Sequence, residues 1–125
     1  MTDEGTMHIG ELAERTGLSL RTLRHWDEVG LARASGRSEG GFRLYTAEDE
    51  QRVRLIMTMK PLGFTLEEMA ELVAALEVSP DDPLSGLPPE RAAWFRAESQ
   101  QRRAKLARQL AAADDFLQRI APTAG

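Results

Sequence analysis

Arg21, Thr22, Arg24 and His25 crowd into five positions just after Ser19, and together they offer two guanidiniums, a hydroxyl and an imidazole. Arginine is the side chain that most often reads guanine, through a bidentate pair of hydrogen bonds in the major groove. That chemistry requires one surface to present the donors together. On a helix wound at 100° per residue from Leu20, Arg24 falls at about 40°, Arg21 at about 100° and His25 at about 140°. Leu23, Trp26 and Gly30 fall on the opposite arc. One face of this helix packs and the other presents its donors. An isolated charged face is usually only solvated, so the surrounding elements decide what this one does.

Those elements are readable. Ile9, Leu12 and Ala13 stand at i, i+3 and i+4, which predicts a short helix that Gly17 stops. Ser19 caps the next helix and Gly30 closes it. Two short helices about a glycine turn form a helix-turn-helix, whose second helix reaches base edges with its N-terminal residues. Gly36, Gly40 and Gly41 then break any helix and predict two short strands about a glycine turn, a small wing. Strand alternation turns Phe42 and Leu44 one way, Arg43 and Tyr45 the other. Exposed together, Arg43 and Tyr45 suit contact with phosphate.

Thr46 to Asp49 is a capping box opening a third helix, with Val53, Ile56, Met57 and Lys60 on its inner face and Pro61 and Gly63 at its end. Lys60, at that end, is placed to add a phosphate contact. A second capping box, Thr65 to Glu68, opens a fourth helix with Leu66, Met69, Leu72, Val73 and Leu76 at helical spacing. Residues 79–88 read as a linker rich in Pro, Gly, Ser and Asp. Pro89 suits the first turn of a long fifth helix, whose Leu106, Leu110, Ala113, Leu117 and Ile120 repeat in steps of four and three. That is a coiled-coil seam, and it predicts a homodimer. Trp94 and Phe95 near the start of this helix read as packing residues in preference to a small-molecule pocket. The organisation expected is a DNA-binding module over 6–78, the linker over 79–88 and a dimerisation helix over 89–121. The fold class is mostly α, with a small winged sheet.

The chain has 125 residues, 42% hydrophobic and 29% charged, with a net charge of −4. Between Arg15 and Lys60, nine basic residues stand against six acidic ones, a surplus of +3 that leaves −7 on the rest of the chain. A basic working face on an acidic protein follows. There is no cysteine, and His8 and His25 are the only imidazoles, so neither a metal nor a cofactor is expected. No Ser/His/Asp or Cys/His set, phosphate loop or paired carboxylates support an enzyme. The acidic, polar start MTDEG lacks the features of a secretory signal, and no apolar run spans a bilayer, so a cytoplasmic location is expected.

The strings IGELAERTGLSLRTLRHWDEVGL, GGFRLYTAEDEQRVRLI and LGFTLEEMAELV, in this order and spacing, resemble the MerR family of bacterial transcriptional regulators from about His8 to Leu76. The resemblance implies a homodimer held by an antiparallel coiled coil of the C-terminal helices, with two modules on a pseudo-palindromic promoter operator. It puts Arg21, Arg24 and His25 on the recognition helix, Arg43 and Tyr45 on the wing and Lys60 on the DNA backbone. The family usually carries two tyrosine-like aromatics where His25 and Trp26 stand here. Family members commonly bend and untwist promoter DNA so that RNA polymerase engages it, and some only repress. Metal-sensing members hold their ion with cysteines that this chain lacks. The chain ends five residues after Ile120, so no separate effector domain is expected. An unidentified small-molecule inducer, a protein partner or no inducer at all is left. The alternatives are a protein-interaction adaptor of the same fold that does not bind DNA, and a small-ligand-responsive repressor.

Overall fold

The computed structural model describes residues 5–123. Its elements run β1 (Thr6–His8), α1 (Ile9–Thr16), α2 (Leu20–Glu28), β2 (Gly36–Arg37), β3 (Arg43–Thr46), α3 (Ala47–Met59), α4 (Leu66–Val78) and α5 (Pro89–Ile120). Single 3-10 turns occupy Lys60–Leu62 and Pro83–Gly86. The chain divides into two compact units after Gly86.

Local chemistry sets the helix ends. Gly17 adopts φ 77°, a left-handed conformation that costs glycine little, and its N–H donates to the Ala13 carbonyl. Ser19 Oγ then accepts the Thr22 N–H at 3.1 Å and starts α2. Both expected capping boxes form, Thr46 with Asp49 and Thr65 with Glu68. Leu12, Leu23, Trp26, Val53 and Ile56 are buried and make the core of the first unit. Each such side chain stabilises the fold by about 1.5–3 kcal/mol.

The sheet has three strands in the order β1-β3-β2, both pairings antiparallel, with Met7 opposite Tyr45 and Gly36 opposite Leu44. β1 is three residues long and carries too little alternation to be read from sequence. It makes β3 the central strand, with α1 and α3 packed on it. The outcome corrects the expected facing of the wing. Leu44 and Tyr45 are both buried, whereas Phe42, which precedes β3, is 66% exposed.

α3 ends one residue earlier than its pattern suggested. Its buried apolar positions are Val53, Ile56 and Met59, and Lys60 begins the 3-10 turn that contains Pro61. Lys60 is exposed and does not belong to the inner face. The stretch 79–88 also differs from a loose connection. Ser79 Oγ and Ser85 Oγ lie 2.7 Å apart, and the Pro83–Gly86 turn packs on α4 so closely that a Cβ on Gly86 would lie 2.5 Å from the Ala75 carbonyl oxygen.

α5 runs 32 residues. Leu106, Leu110, Leu117 and Ile120 are between 42% and 64% exposed on it, with Phe116 at 59%. Trp94 and Phe95 meet edge to face at 5.0 Å between centroids, and the Arg91 guanidinium lies 4.6 Å and 5.3 Å from their ring centres. Among the described residues no helix is long and apolar enough to cross a membrane, and no group of His, Cys, Asp and Glu is arranged to hold a metal.

Candidate nucleic-acid interface

The buried face of α2 is Leu23 and Trp26, as the helical wheel requires, so its other face turns outward with Arg21, Arg24 and His25 exposed. Lys60 reaches the same place from the turn after α3. Its Nζ stands 5.7 Å from the centroid of the Trp26 ring. Arg21, Thr22, Arg24, His25 and Lys60 thereby line one open cleft of about 720 Å³ together with Trp26 and Glu28. Among the described residues no ion pair engages Arg21, Arg24 or Lys60. Their charge is available to an anionic partner, and a cleft in which Arg21, Arg24 and Lys60 outnumber the acid Glu28 concentrates such partners.

The wing differs from expectation at two residues. Tyr45 is fully buried, and its hydroxyl has no hydrogen-bond partner among the described residues. Burial pushes the phenol up to about 12. It presents no hydroxyl to a phosphate, because its side chain lies in the interior of the first unit, where α1 and α3 pack on β3. Arg43 is not a free cation either. Its Nε donates to Asp27 Oδ2 at 2.7 Å, its Nη2 lies 3.8 Å from Glu28 Oε1, and its side chain is only 18% exposed. Burial pushes the Asp27 carboxyl up, but the bond from Arg43, the Ala34 N–H and the nearby Arg37 outweigh it and hold the group below the usual carboxylate range.

Two exposed wing residues were not among the contacts expected from the sequence. Arg37 is 54% exposed, donates from Nη1 to the Gly41 carbonyl at 3.0 Å and lies 4.0 Å from Asp27. Phe42 stands at the wing tip beside it. An arginine between Gly36 and Ser38, on the first of the two strands expected for the wing, was the available signal for the first. For the second, alternation pointed the wrong way.

A second polar cluster ties α1 to α3. Glu50 is 7% exposed and accepts from Arg15 Nε at 2.8 Å and Arg54 Nε at 2.8 Å, while Arg54 Nη2 donates to the Arg15 carbonyl. The hydrogen bond from Arg54, assisted by that from Arg15, holds the Glu50 carboxyl below its ordinary range against the opposing pull of burial. This cluster braces the helix-turn-helix from behind.

Two helices about a glycine turn, a short winged sheet and an outward basic cleft define a winged helix-turn-helix protein. The pattern described as the MerR HTH family regulatory protein matches residues 7–76. The nodulation protein NolA of Bradyrhizobium elkanii is 51% identical over 61 residues, 49% of this chain and 28% of that protein. The HTH-type transcriptional regulator YfmP of Bacillus subtilis is 38% identical over 88 residues, 67% of this chain and 63% of YfmP. The chain thus spans about a quarter of NolA and under two thirds of YfmP. Among solved structures, HiNmlR, a MerR family regulator lacking the sensor domain and bound to promoter DNA, superposes with a TM-score of 0.68 at 25% identity, covering 90% of this chain and 85% of that one. MtaN, the N-terminus of the Bacillus subtilis multidrug transporter activator, gives 0.57 at 28% identity, covering 91% and 93%. The chain belongs to the MerR HTH family of regulatory proteins.

Proposed function

We propose that this protein is a cytoplasmic, non-enzymatic transcriptional regulator that binds double-stranded promoter DNA as a homodimer. The observation that carries this reading is the cleft, where Arg21, Thr22, Arg24 and His25 on one helix converge with Lys60 from another element. α2 enters the major groove, with Arg21 and Arg24 reaching base edges and Lys60 holding phosphate. The exposed apolar stripe on α5 is covered by the same stripe of a second copy, which supplies two modules for a two-fold operator. HiNmlR, which superposes on 90% of this chain, is described as bound to promoter DNA, which supports DNA binding through this fold. Bending and untwisting of the promoter is the route by which such a dimer influences RNA polymerase. Trp94 and Phe95 are filled against each other and Arg91, which favours packing over an inducer pocket there.

The test is selection of bound fragments from genomic DNA, followed by a gel shift across salt concentrations. Enrichment of fragments sharing an inverted repeat within promoters is expected, with an affinity falling steeply with salt at about −0.9 in log–log slope per phosphate contact. No enrichment, together with a slope of zero on any duplex, would remove the reading.

A further inference from the structure

The helix that carries the cleft and the wing beside it meet at one carboxylate. Asp27 lies in the last turn of α2. Its Oδ2 accepts from Arg43 Nε on β3 at 2.7 Å, and its Oδ1 accepts from the Ala34 N–H at 2.9 Å, in the segment joining the two elements. Both charged side chains are largely enclosed, at 15% and 18% exposure. Arg43 cannot swing out to a phosphate without taking the short ion pair from a mostly buried carboxylate, which would keep only the Ala34 N–H and the more distant Arg37, and removing one partner of an enclosed pair is costly. Arg37 is less committed. It is the exposed wing arginine, 54% exposed, donating to the tip carbonyl of Gly41 at 3.0 Å and lying 4.0 Å from Asp27, the longest of the ion pairs at that carboxylate.

We propose that Asp27 and Arg43 are positioning residues, which fix the angle between the base-reading helix and the wing without touching DNA, while the wing's phosphate contact is made by Arg37. This rests on the DNA-binding reading above. The physical reason is leverage. α2 is nine residues long, with its reading residues Arg21 and Arg24 in the first half and its clamp at the other end. A small pivot at Asp27 displaces the guanidiniums laterally, and a reading constellation tolerates only about 0.5 Å before its hydrogen bonds lose their geometry. Phosphate contacts from flexible surface side chains tolerate far more. The Asp27–Arg43 pair should therefore govern discrimination between sequences, and Arg37 should govern the sequence-independent part of binding.

The experiment compares the full chain with Asp27→Asn, Arg43→Lys, Arg43→Ala, the double variant Asp27→Asn/Arg43→Lys and Arg37→Ala. Each is measured on a duplex recovered by the genomic selection and on a scrambled duplex of the same composition, at several salt concentrations. Thermal melts set a temperature at which every variant is folded. Asp27→Asn and Arg43→Lys should each lower the preference for the selected duplex roughly tenfold, the size of one misread base pair. The double variant should lose no more than either single change, because the two residues act as one unit. Arg43→Ala should leave the salt slope unchanged, while Arg37→Ala should reduce it by about one unit per module and keep the preference. If Arg43→Ala reduces the slope and keeps the preference, Arg43 is a phosphate contact and the proposal is overturned. It is equally overturned if all variants keep both quantities. A wild-type chain that prefers neither duplex overturns the underlying DNA-binding reading instead, and that outcome is visible before any variant is measured.

Discussion

Lys60 Nζ stands 5.7 Å from the centroid of the Trp26 ring, so the turn after α3 is joined to the packed face of α2. The ring's negative face holds the ammonium over the cleft, an attraction of about 0.5–1 kcal/mol at an exposed site. The lysine arrives preset at the rim where Arg21 and Arg24 emerge. Lys60→Ala should weaken binding to a selected and a scrambled duplex about equally and reduce the salt slope by about one unit per module. Gel shifts across a salt series check this, and a loss confined to the selected duplex would show that Lys60 reads bases.

Arg21 and Arg24 make the opposite demand. Both project from the outward face of α2 and neither is engaged by an ion pair among the described residues. A bidentate contact to a base contributes about 1–3 kcal/mol of discrimination. Arg21→Ala and Arg24→Ala should each lower the preference for the selected duplex by a factor in that range. Competition binding with the two duplexes measures the ratio directly. An unchanged ratio in both variants would move base reading away from this helix.

Acid should loosen the module through Glu50 and Asp27. Both carboxyls lie below their ordinary values in the folded chain, so each contributes stability that is present above the unfolded carboxylate pKa of about 4 and is lost as pH falls through the folded value. For Glu50, the partners Arg15 and Arg54 are 53% and 50% exposed, and solvent screening reduces the gain. Glu50→Gln should cost about 1–2 kcal/mol at neutral pH. Its deficit relative to wild type should begin to shrink below about pH 4 and disappear only once the pH has fallen through the lowered folded-state value, where the wild-type carboxyl is protonated as well. Denaturant melts at neutral and acid pH test this, and a deficit independent of pH would mean that charge is not the source.

The helical part of this molecule was legible because its determinants are local. Ser19, Thr46 and Thr65 announce helix starts within four residues, and the wheel that buries Leu23 and Trp26 exposes Arg21 and Arg24. What was not legible depends on partners far away in sequence. Tyr45 is buried because helices distant in sequence, α1 among them, pack on β3, which the alternation within β3 alone does not reveal. Arg43 is enclosed because Asp27 meets it from 16 residues away, and Glu50 draws Arg15 across 35. The segment around Gly86 has linker composition yet folds on Ala75, because glycine permits the close approach that its neighbours' polarity conceals.

Tyr45 carries a cost that substitution should relieve. Its hydroxyl is buried with no partner among the described residues. An unsatisfied buried polar group costs about 1–3 kcal/mol, while the ring itself fills the space against which β3 packs. Tyr45→Phe keeps the ring and removes the hydroxyl, so the stability should hold or rise. Calorimetric melting compares the two proteins, and a loss greater than about 1 kcal/mol would show that the hydroxyl is bonded in solution.

The stripe on α5 sets the last expectation. Leu106, Leu110, Ala113, Leu117 and Ile120 follow the spacing of four and three, and the four larger side chains are exposed by 42% to 64% in the single chain. Fully burying one leucine stabilises by about 1.5–3 kcal/mol, and each position counts twice in a two-fold dimer. Leu110 lies within the stripe and is 64% exposed, so it has the most area to lose to a partner. Leu110→Asp would place one carboxylate from each copy in the apolar seam. The variant should run as a monomer by light scattering while the first unit keeps its helical signal and melting behaviour. Its affinity for a selected duplex should fall steeply, because one module alone gives up the effective concentration that the linked pair provides. If the variant remains a dimer, some other surface of the chain holds the two copies together and this assignment of α5 is wrong.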